Sequence, residues 1–266
     1  MKGMIQRIKN AVVAAAAMMP GAISEDTICR LLEKTLETMA PAQALRWLFR
    51  LDNVLYKLQG HQSVAYGGGL HTKHRHIGYH DFFVNRIAAD ERVLDIGCGN
   101  GALACDVARR SGARVLAIDR QQEHIAGARR HFADGRVEYV QGDVPADLPE
   151  GHFDVVVMSN VLEHLPERTA FLRQVARRVR PQRFLIRVPL FERDWRVPLK
   201  KELGVEWRLD STHMTEYTLE SFGEEMRSAG LRITYREVRW GELWAEAVPA
   251  GDPDGAAGRR ADATGH

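Results

Sequence analysis

Residues 93–104 read Val-Leu-Asp-Ile-Gly-Cys-Gly-Asn-Gly-Ala-Leu-Ala, and the fold follows from this stretch. Val93, Leu94 and Ile96 are β-formers that run straight into glycines at 97, 99 and 101. A helix-compatible run from Ala102 to Arg109 follows at once. A strand that ends in a Gly-rich turn and opens a helix brings a nucleotide-like ligand against backbone N–H groups. Side chains at those glycines would hold the ligand away.

Asp95, the acid before the glycines, narrows the ligand. A dinucleotide would put its pyrophosphate at the helix N-terminus, beside a like charge. S-adenosylmethionine has no phosphate; its ammonium and sulfonium are both met favourably by a carboxylate. The spacing Gly97-x-Gly99-x-x-Ala102 also satisfies a loose dinucleotide pattern, so the preference rests on Asp95. A second apolar run, Val115-Leu-Ala-Ile-Asp119, ends in an acid about twenty residues on, where a ribose-binding carboxylate belongs. Val137 to Gln141 mixes β-formers with polar residues and reads as a strand nearer the sheet edge. Gly142-Asp143 follows it, and Asp143 can accept a hydrogen bond from an adenine amino group. Phe153 to Met158 is nearly all apolar, as in a strand buried on both faces, and it leads into Ser159-Asn-Val-Leu-Glu-His-Leu165.

With these pieces in order, residues 79–248 resemble the class I S-adenosylmethionine-dependent methyltransferases, in their small-molecule branch. The matching residues are Asp95 to Gly101, Asp119, Gly142-Asp143, Phe153-Asp154 and Asn160 to His164. The resemblance implies an α/β fold: a Rossmann-like, doubly wound, mostly parallel seven-stranded sheet, here with an N-terminal helical extension. It implies that Gly97, Gly99 and Gly101 line the methionine and ribose part of the donor with Asp95 nearby. Asp119 would bind the ribose hydroxyls and Asp143 the adenine edge, with Arg120 and Val144 beside them. Asn160 would lie under the donor, and His164 near the reacting centre.

Composition agrees with a soluble globular protein: 266 residues, 45% hydrophobic, 27% charged, net charge +2. That charge implies no nucleic-acid field. After the fourth strand there is no Asn/Asp-Pro-Pro-aromatic motif, and no Pro-Cys pair for base-carbon methylation, so no nucleic-acid partner is expected. Cys29, Cys98 and Cys105 are unpatterned, which fits a reducing, cytoplasmic setting without a disulfide framework.

The domain reading is a helical cap over 1–70, a methyltransferase domain over 71–248, and a disordered tail over 249–266 rich in Gly, Ala, Asp and Arg. Residues 1–20 have the outline of a short signal peptide, but the donor is cytosolic and the apolar part is Ala-rich. Read as a helix, Met1, Met4, Ile5, Ile8, Val12, Ala15 and Met19 form one stripe. That stripe suits packing on this protein or a partner, or peripheral contact with a membrane surface. Ser24 caps a further helix, and Pro41 starts another whose exit is marked by Gly60 and Gly67 to Gly69.

Two regions supply acceptor chemistry. The segment with His71, His74, His76 and His80 enters the core just before a helix expected over His80 to Ala88. Tyr79 and His80 are therefore placed against donor or acceptor, the alternative being an ordinary polar loop. These histidines lack the tight pairing of a zinc site, so no metal is expected. The second region is the long connection 189–217 after a fifth strand, Arg183 to Val188. It is too aromatic for disorder and reads as an acceptor lid, with Trp195 and Tyr217 as substrate contacts. His213 is the residue proposed as general base, with His164 as a second candidate; a structural hydrogen bond is the alternative for each. Arg173, Arg177, Arg178, Arg180, Arg183 and Arg187 read mostly as a solvated basic face.

The expected function is methyl transfer from S-adenosylmethionine to a small-molecule or glycan- or lipid-linked acceptor, at O or N. The reaction is an in-line displacement that the protein promotes by alignment and water exclusion. A regulatory protein that binds the donor without turnover and a nicotinamide-dependent oxidoreductase are the alternatives.

Overall fold

Val93, Leu94 and Ile96 are buried because β1 (Arg92–Ile96) lies between two parallel neighbours. The computed structural model describes residues 24–251. Within them the chain runs α1 (Glu25–Leu36), α2 (Pro41–Tyr66), α3 (Thr72–Ile77), α4 (Asp81–Val84), β1, α5 (Ala102–Ser111), β2 (Arg114–Asp119), α6 (Gln122–His131), β3 (Val137–Gln141) and β4 (Val155–Ser159). It continues with α7 (Arg168–Val179), β5 (Arg183–Pro189), α8 (Arg196–Glu202), α9 (Leu219–Ser228), β6 (Leu231–Arg239) and β7 (Glu242–Pro249).

The seven strands form one sheet in the order β3-β2-β1-β4-β5-β7-β6. Pairing is parallel from β3 through β5, and β7 runs antiparallel to both β5 and β6. β4, with Val155 to Met158 all buried, sits centrally, as its unbroken apolar run requires. β3, with its polar alternation, is an edge. Successive side chains alternate between faces. Leu94, Val156, Met158 and Ile186 pack on Phe171, Leu172 and Val175 of α7 and on Phe222 of α9. Val93, Val155, Val157 and Leu185 pack on Phe82, Leu103 and Ile125 of α4, α5 and α6. Covering both faces lets so apolar a sheet exist in water.

Three expectations need correction. The helix placed over His80 to Ala88 is one turn, Asp81–Val84, and Ala88 instead donates its N–H to Glu91 at 2.8 Å. The second N-terminal helix does not exit at Gly60 but runs on to Tyr66, because one interior glycine costs a helix only about 1 kcal/mol. Arg187 does not belong to a solvated face. It is 3% exposed, on a strand buried between helices and neighbours. The stripe in residues 1–20 and most of the tail, residues 252–266, lie outside the described residues.

The helical extension bears on the site through α2. Asp52 receives Lys200 at 2.6 Å and Arg196 at 3.1 Å, while Arg46 and Asn53 donate to the carbonyls of Leu203 and Glu206. The 189–217 connection is thereby fastened to α2 at several points.

Candidate active site

The strand–glycine–helix segment folds as a left-handed loop. Gly97, Gly99 and Gly101 have φ of 71°, 55° and 81°. Gly101 has no room for a side chain: a Cβ would stand 2.7 Å from both Ala128 Cβ and Tyr139 Cε1. At Gly97 a Cβ would meet Val161 Cγ2 at 2.6 Å, so the loop packs against the segment that follows β4. At Gly99 the space is open, and a ligand could approach its backbone.

Three acids stand around the loop. Asp119 accepts the Gly99 N–H at 2.9 Å on one oxygen, and Gln121 N–H and His124 Nδ1 at 2.8 and 3.2 Å on the other. Asp95 is 2% exposed, and its Oδ2 is buried with no partner. Burial, and then the Asp119 charge, push its carboxyl up to about 7. A buried acceptor without a donor is costly, so Asp95 is a group that a cationic ligand would satisfy. Asp143 is exposed at the end of β3, where Asp147 accepts its N–H at 2.8 Å. Arg120 is exposed, and Val144 is half-buried against the core.

Asn160, at the end of β4, adopts φ 56° and leaves its buried Oδ1 unpartnered. A left-handed Asn beside an open loop is a strained arrangement of the kind found at ligand sites. Just beyond it, Glu163 is fully buried with neither carboxylate oxygen hydrogen-bonded. Burial pushes its carboxyl up to about 7 against the smaller opposing pull of His213 and Arg187. Its carbonyl accepts the N–H groups of Met214 and Thr215 at 2.8 and 3.4 Å, which brings His213 alongside. The His164 and His213 rings meet edge to face at 4.6 Å. One ligand atom from each of Glu163, His164 and His213 falls within 4.8 Å of the others. His164 donates to or accepts from Thr212 Oγ1 at 3.0 Å, and its pKa is lowered by burial first and by His213 second. The sequence reading named both histidines. Glu163 is not among the residues expected from sequence, and no metal is expected there; the Glu-His-His donor set suits a divalent cation such as zinc.

Behind this cluster lies a buried polar network. Tyr79 OH is 2.7 Å from Ser159 Oγ, and Arg187 lies 4.4 Å from the centre of the Tyr79 ring. Glu242 accepts Arg187 Nε at 2.7 Å and Lys73 Nζ at 2.5 Å. His74 stacks on Tyr79 at 4.5 Å, and burial and Arg187 lower its pKa to about 4. Sequence reading missed Lys73, Arg187 and Glu242 as a unit, because 73 and 242 meet only across the fold. Tyr79 and His80 both line a cavity of about 370 Å³ between α3, α4 and α5. His80 is turned onto Asp106 at 2.9 Å.

Two expected substrate contacts fare differently. Tyr217 is 1% exposed, packs on Phe222 and bonds Glu225 through its hydroxyl at 2.5 Å. It belongs to the core and not to an acceptor wall, because it pairs with Leu190 at the end of β5 and is drawn beneath α9. Trp195 is 71% exposed at the N-terminus of α8, where Val197 is the residue turned inward.

Residues 71–236 match the family model described as methyltransferase domain. The chain belongs to the methyltransferase-domain family. Among curated relatives, a ubiquinone biosynthesis O-methyltransferase of Rhodopseudomonas palustris is 30% identical over 151 residues, covering 54% of this chain and 59% of the relative. One from Xanthomonas euvesicatoria is 42% identical over 99 residues, covering 35% and 40%. The chain thus spans about half the length of these relatives. Among solved structures, a TehB-like methyltransferase of Corynebacterium glutamicum superposes with TM-score 0.51 at 19% identity, covering 75% of this chain and 99% of that one. The magnesium protoporphyrin IX methyltransferase of Synechocystis, with bound S-adenosylhomocysteine, gives 0.52 at 20%, covering 65% and 83%. Both show the same fold. In this methyltransferase domain the glycine loop, the acids at the ends of β1 and β2, and the segment after β4 all fall at the carboxyl edge of the sheet, where α/β folds bind ligands. No described helix is long and apolar enough to cross a membrane.

Proposed function

We propose that the protein transfers a methyl group from S-adenosylmethionine to the hydroxyl of a small molecule. The observation that carries this reading is the row of buried, unpartnered acceptors along the sheet edge: Asp95 Oδ2, Asn160 Oδ1 and both oxygens of Glu163. Asp95 beside the glycine loop would meet the donor's cationic end. Asp119 would add ribose hydroxyls to its bond with Gly99, and Asp143 would meet the adenine edge. Glu163, His164 and His213 form a group able to accept a proton from an acceptor hydroxyl. A phenol, with a pKa of about 10, gives up its proton to such a group far more readily than an alcohol does. The relatives' name, ubiquinone biosynthesis O-methyltransferase, supports oxygen as the acceptor atom over nitrogen.

Calorimetric titration with S-adenosylhomocysteine tests the donor site, and methyl transfer to a panel of catechols tests the acceptor. Absence of donor binding by folded protein would overturn the reading. A second reading is favoured by the spacing of Glu163, His164 and His213. The same three atoms would hold a divalent cation that gathers and acidifies the acceptor hydroxyl. Titration with Zn²⁺ and Mg²⁺, and loss of turnover with a chelator, separates a metal-assisted transfer from a proton-transfer one.

A further inference from the structure

We infer that Glu216, itself fixed by Arg193, is a positioning residue: it holds His213 as the Nδ1–H tautomer and reserves Nε2 for the cluster with Glu163 and His164. The inference rests on the functional reading of that cluster and adds to it the group that sets its geometry.

His213 Nδ1 lies 3.1 Å from Glu216 Oε1, both side chains being almost wholly buried. A neutral imidazole carries a proton on one nitrogen only, so the partner of one nitrogen decides what the other can do. The direction of this bond is set by the other groups on Glu216. Oε1 also accepts the Leu209 N–H at 2.5 Å, and Oε2 accepts the Arg193 guanidinium. Both are obligate donors, so Glu216 faces His213 as an acceptor and His213 supplies the proton from Nδ1. Nε2 is left with its lone pair.

Arg193 is held as firmly as the carboxylate it holds. It also donates to the carbonyls of Leu190 and Trp207 at 2.8 and 2.7 Å. Gly241, in the β6–β7 turn, leaves room for it: a Cβ there would stand 2.3 Å from Arg193 Cβ. One guanidinium therefore ties the exit of β5 and the 189–217 connection to the carboxylate behind His213, while the β6–β7 turn packs against the Arg193 backbone. The Met214 and Thr215 N–H groups hook the same turn onto the Glu163 carbonyl. The ring is thus located from two sides, by its Nδ1 partner and by the backbone that follows it. Whether Nε2 takes a proton or a cation, its orientation comes from this carboxylate, the arrangement that tunes histidine ligands and bases generally.

The test uses the full chain labelled with ¹⁵N-histidine and needs no acceptor. Long-range ¹H–¹⁵N spectra at pH 8, assigned with His213→Ala, should show a protonated Nδ1 and a bare Nε2 at His213. In Glu216→Gln the His213 resonances should move toward the other tautomer, and Glu216→Asp, which keeps the charge, should restore them in part. With S-adenosylmethionine and catechol as the probe acceptor, Glu216→Gln should lower kcat by about 10- to 100-fold while KM for the donor changes little. A protonated Nε2 in the wild type would overturn the inference, as would an unchanged His213 spectrum and kcat in a folded Glu216→Gln. His213→Ala with full turnover would refute the functional reading of the cluster instead, and the tautomer is read independently of it.

Discussion

Asp119 and Asp95 carry opposite burdens at one site. Asp119 already accepts from Gly99, Gln121 and His124, and its bond to Gly99 holds the loop in place. Asp119→Ala should weaken S-adenosylhomocysteine binding by roughly 10- to 100-fold in calorimetry, the loss of one or two charge-assisted hydrogen bonds. Unchanged affinity in a folded variant would remove Asp119 from the donor site. Asp95 has no donor at all on Oδ2, and its carboxyl titrates near 7 in the ligand-free protein. A cationic donor binds the ionised form, so binding must release a proton below that pH. Affinity for S-adenosylhomocysteine should therefore fall as pH drops from 8 to 6, the sign being that of a group whose raised pKa is lowered by the ligand. Calorimetry in two buffers of different ionisation enthalpy counts the proton. A flat profile would show that Asp95 does not face the ammonium.

At the scale of elements, the glycine loop and the 189–217 connection behave differently because one is closed by sterics and the other by side chains. Gly101 combines φ 81° with a Cβ position already filled by Ala128 and Tyr139. Gly101→Ala should cost more than the roughly 1–2 kcal/mol of a left-handed L-residue alone, seen as a drop in Tm. The connection is instead bolted to α2 by Asp52, Lys200 and Arg196, partly in contact with solvent. Asp52→Ala should cost little stability, about 1 kcal/mol or less, by the usual value of such pairs. It should nevertheless speed amide exchange across residues 196–206 and raise KM for the acceptor. Exchange rates equal to wild type there would show that α2 does not brace the connection.

Across the whole molecule, stability is unevenly placed. The sheet is covered on both faces, with Val156, Phe184 and Ala245 wholly buried, whereas α1 has no buried residue. Native-state hydrogen exchange should therefore find β1, β4 and β5 opening only with global unfolding and α1 exchanging through local opening. Comparable protection of α1 and β4 would mean that something outside the described residues covers α1. Charge follows the same division. The buried Arg187–Glu242 pair sits where β5 and β7 meet; removing Glu242 leaves the Arg187 guanidinium without a carboxylate in the core, a loss of about 3–5 kcal/mol, whereas removing Arg187 leaves Glu242 its bond to Lys73 and should cost less.

The sequence by itself determined five strands, β1 to β5, with β4 central and β3 towards an edge, the glycine turn and the acids at the strand ends. Each of these is written in local patterns: unbroken apolar runs, glycines at alternate positions, a carboxylate one residue before a turn. His164, just past β4, and His213, in the connection after β5, were legible as ionisable residues, but not as neighbours. Tertiary structure alone decided that Glu163 lies buried beside them, that Glu216 and Arg193 stand behind His213, and that Lys73 meets Glu242. Apart from His213 and Glu216, three residues apart, these partners meet across long stretches of chain, as Glu163 with His213 and Lys73 with Glu242 do, and no period or spacing encodes which side chains a crossover brings together. Tyr217 shows the same limit from the other side. An aromatic residue in a long connection has one appearance in sequence whether it lines a pocket or fills a core. Burial chooses between them, and burial is a property of what packs against a residue, not of the residue itself.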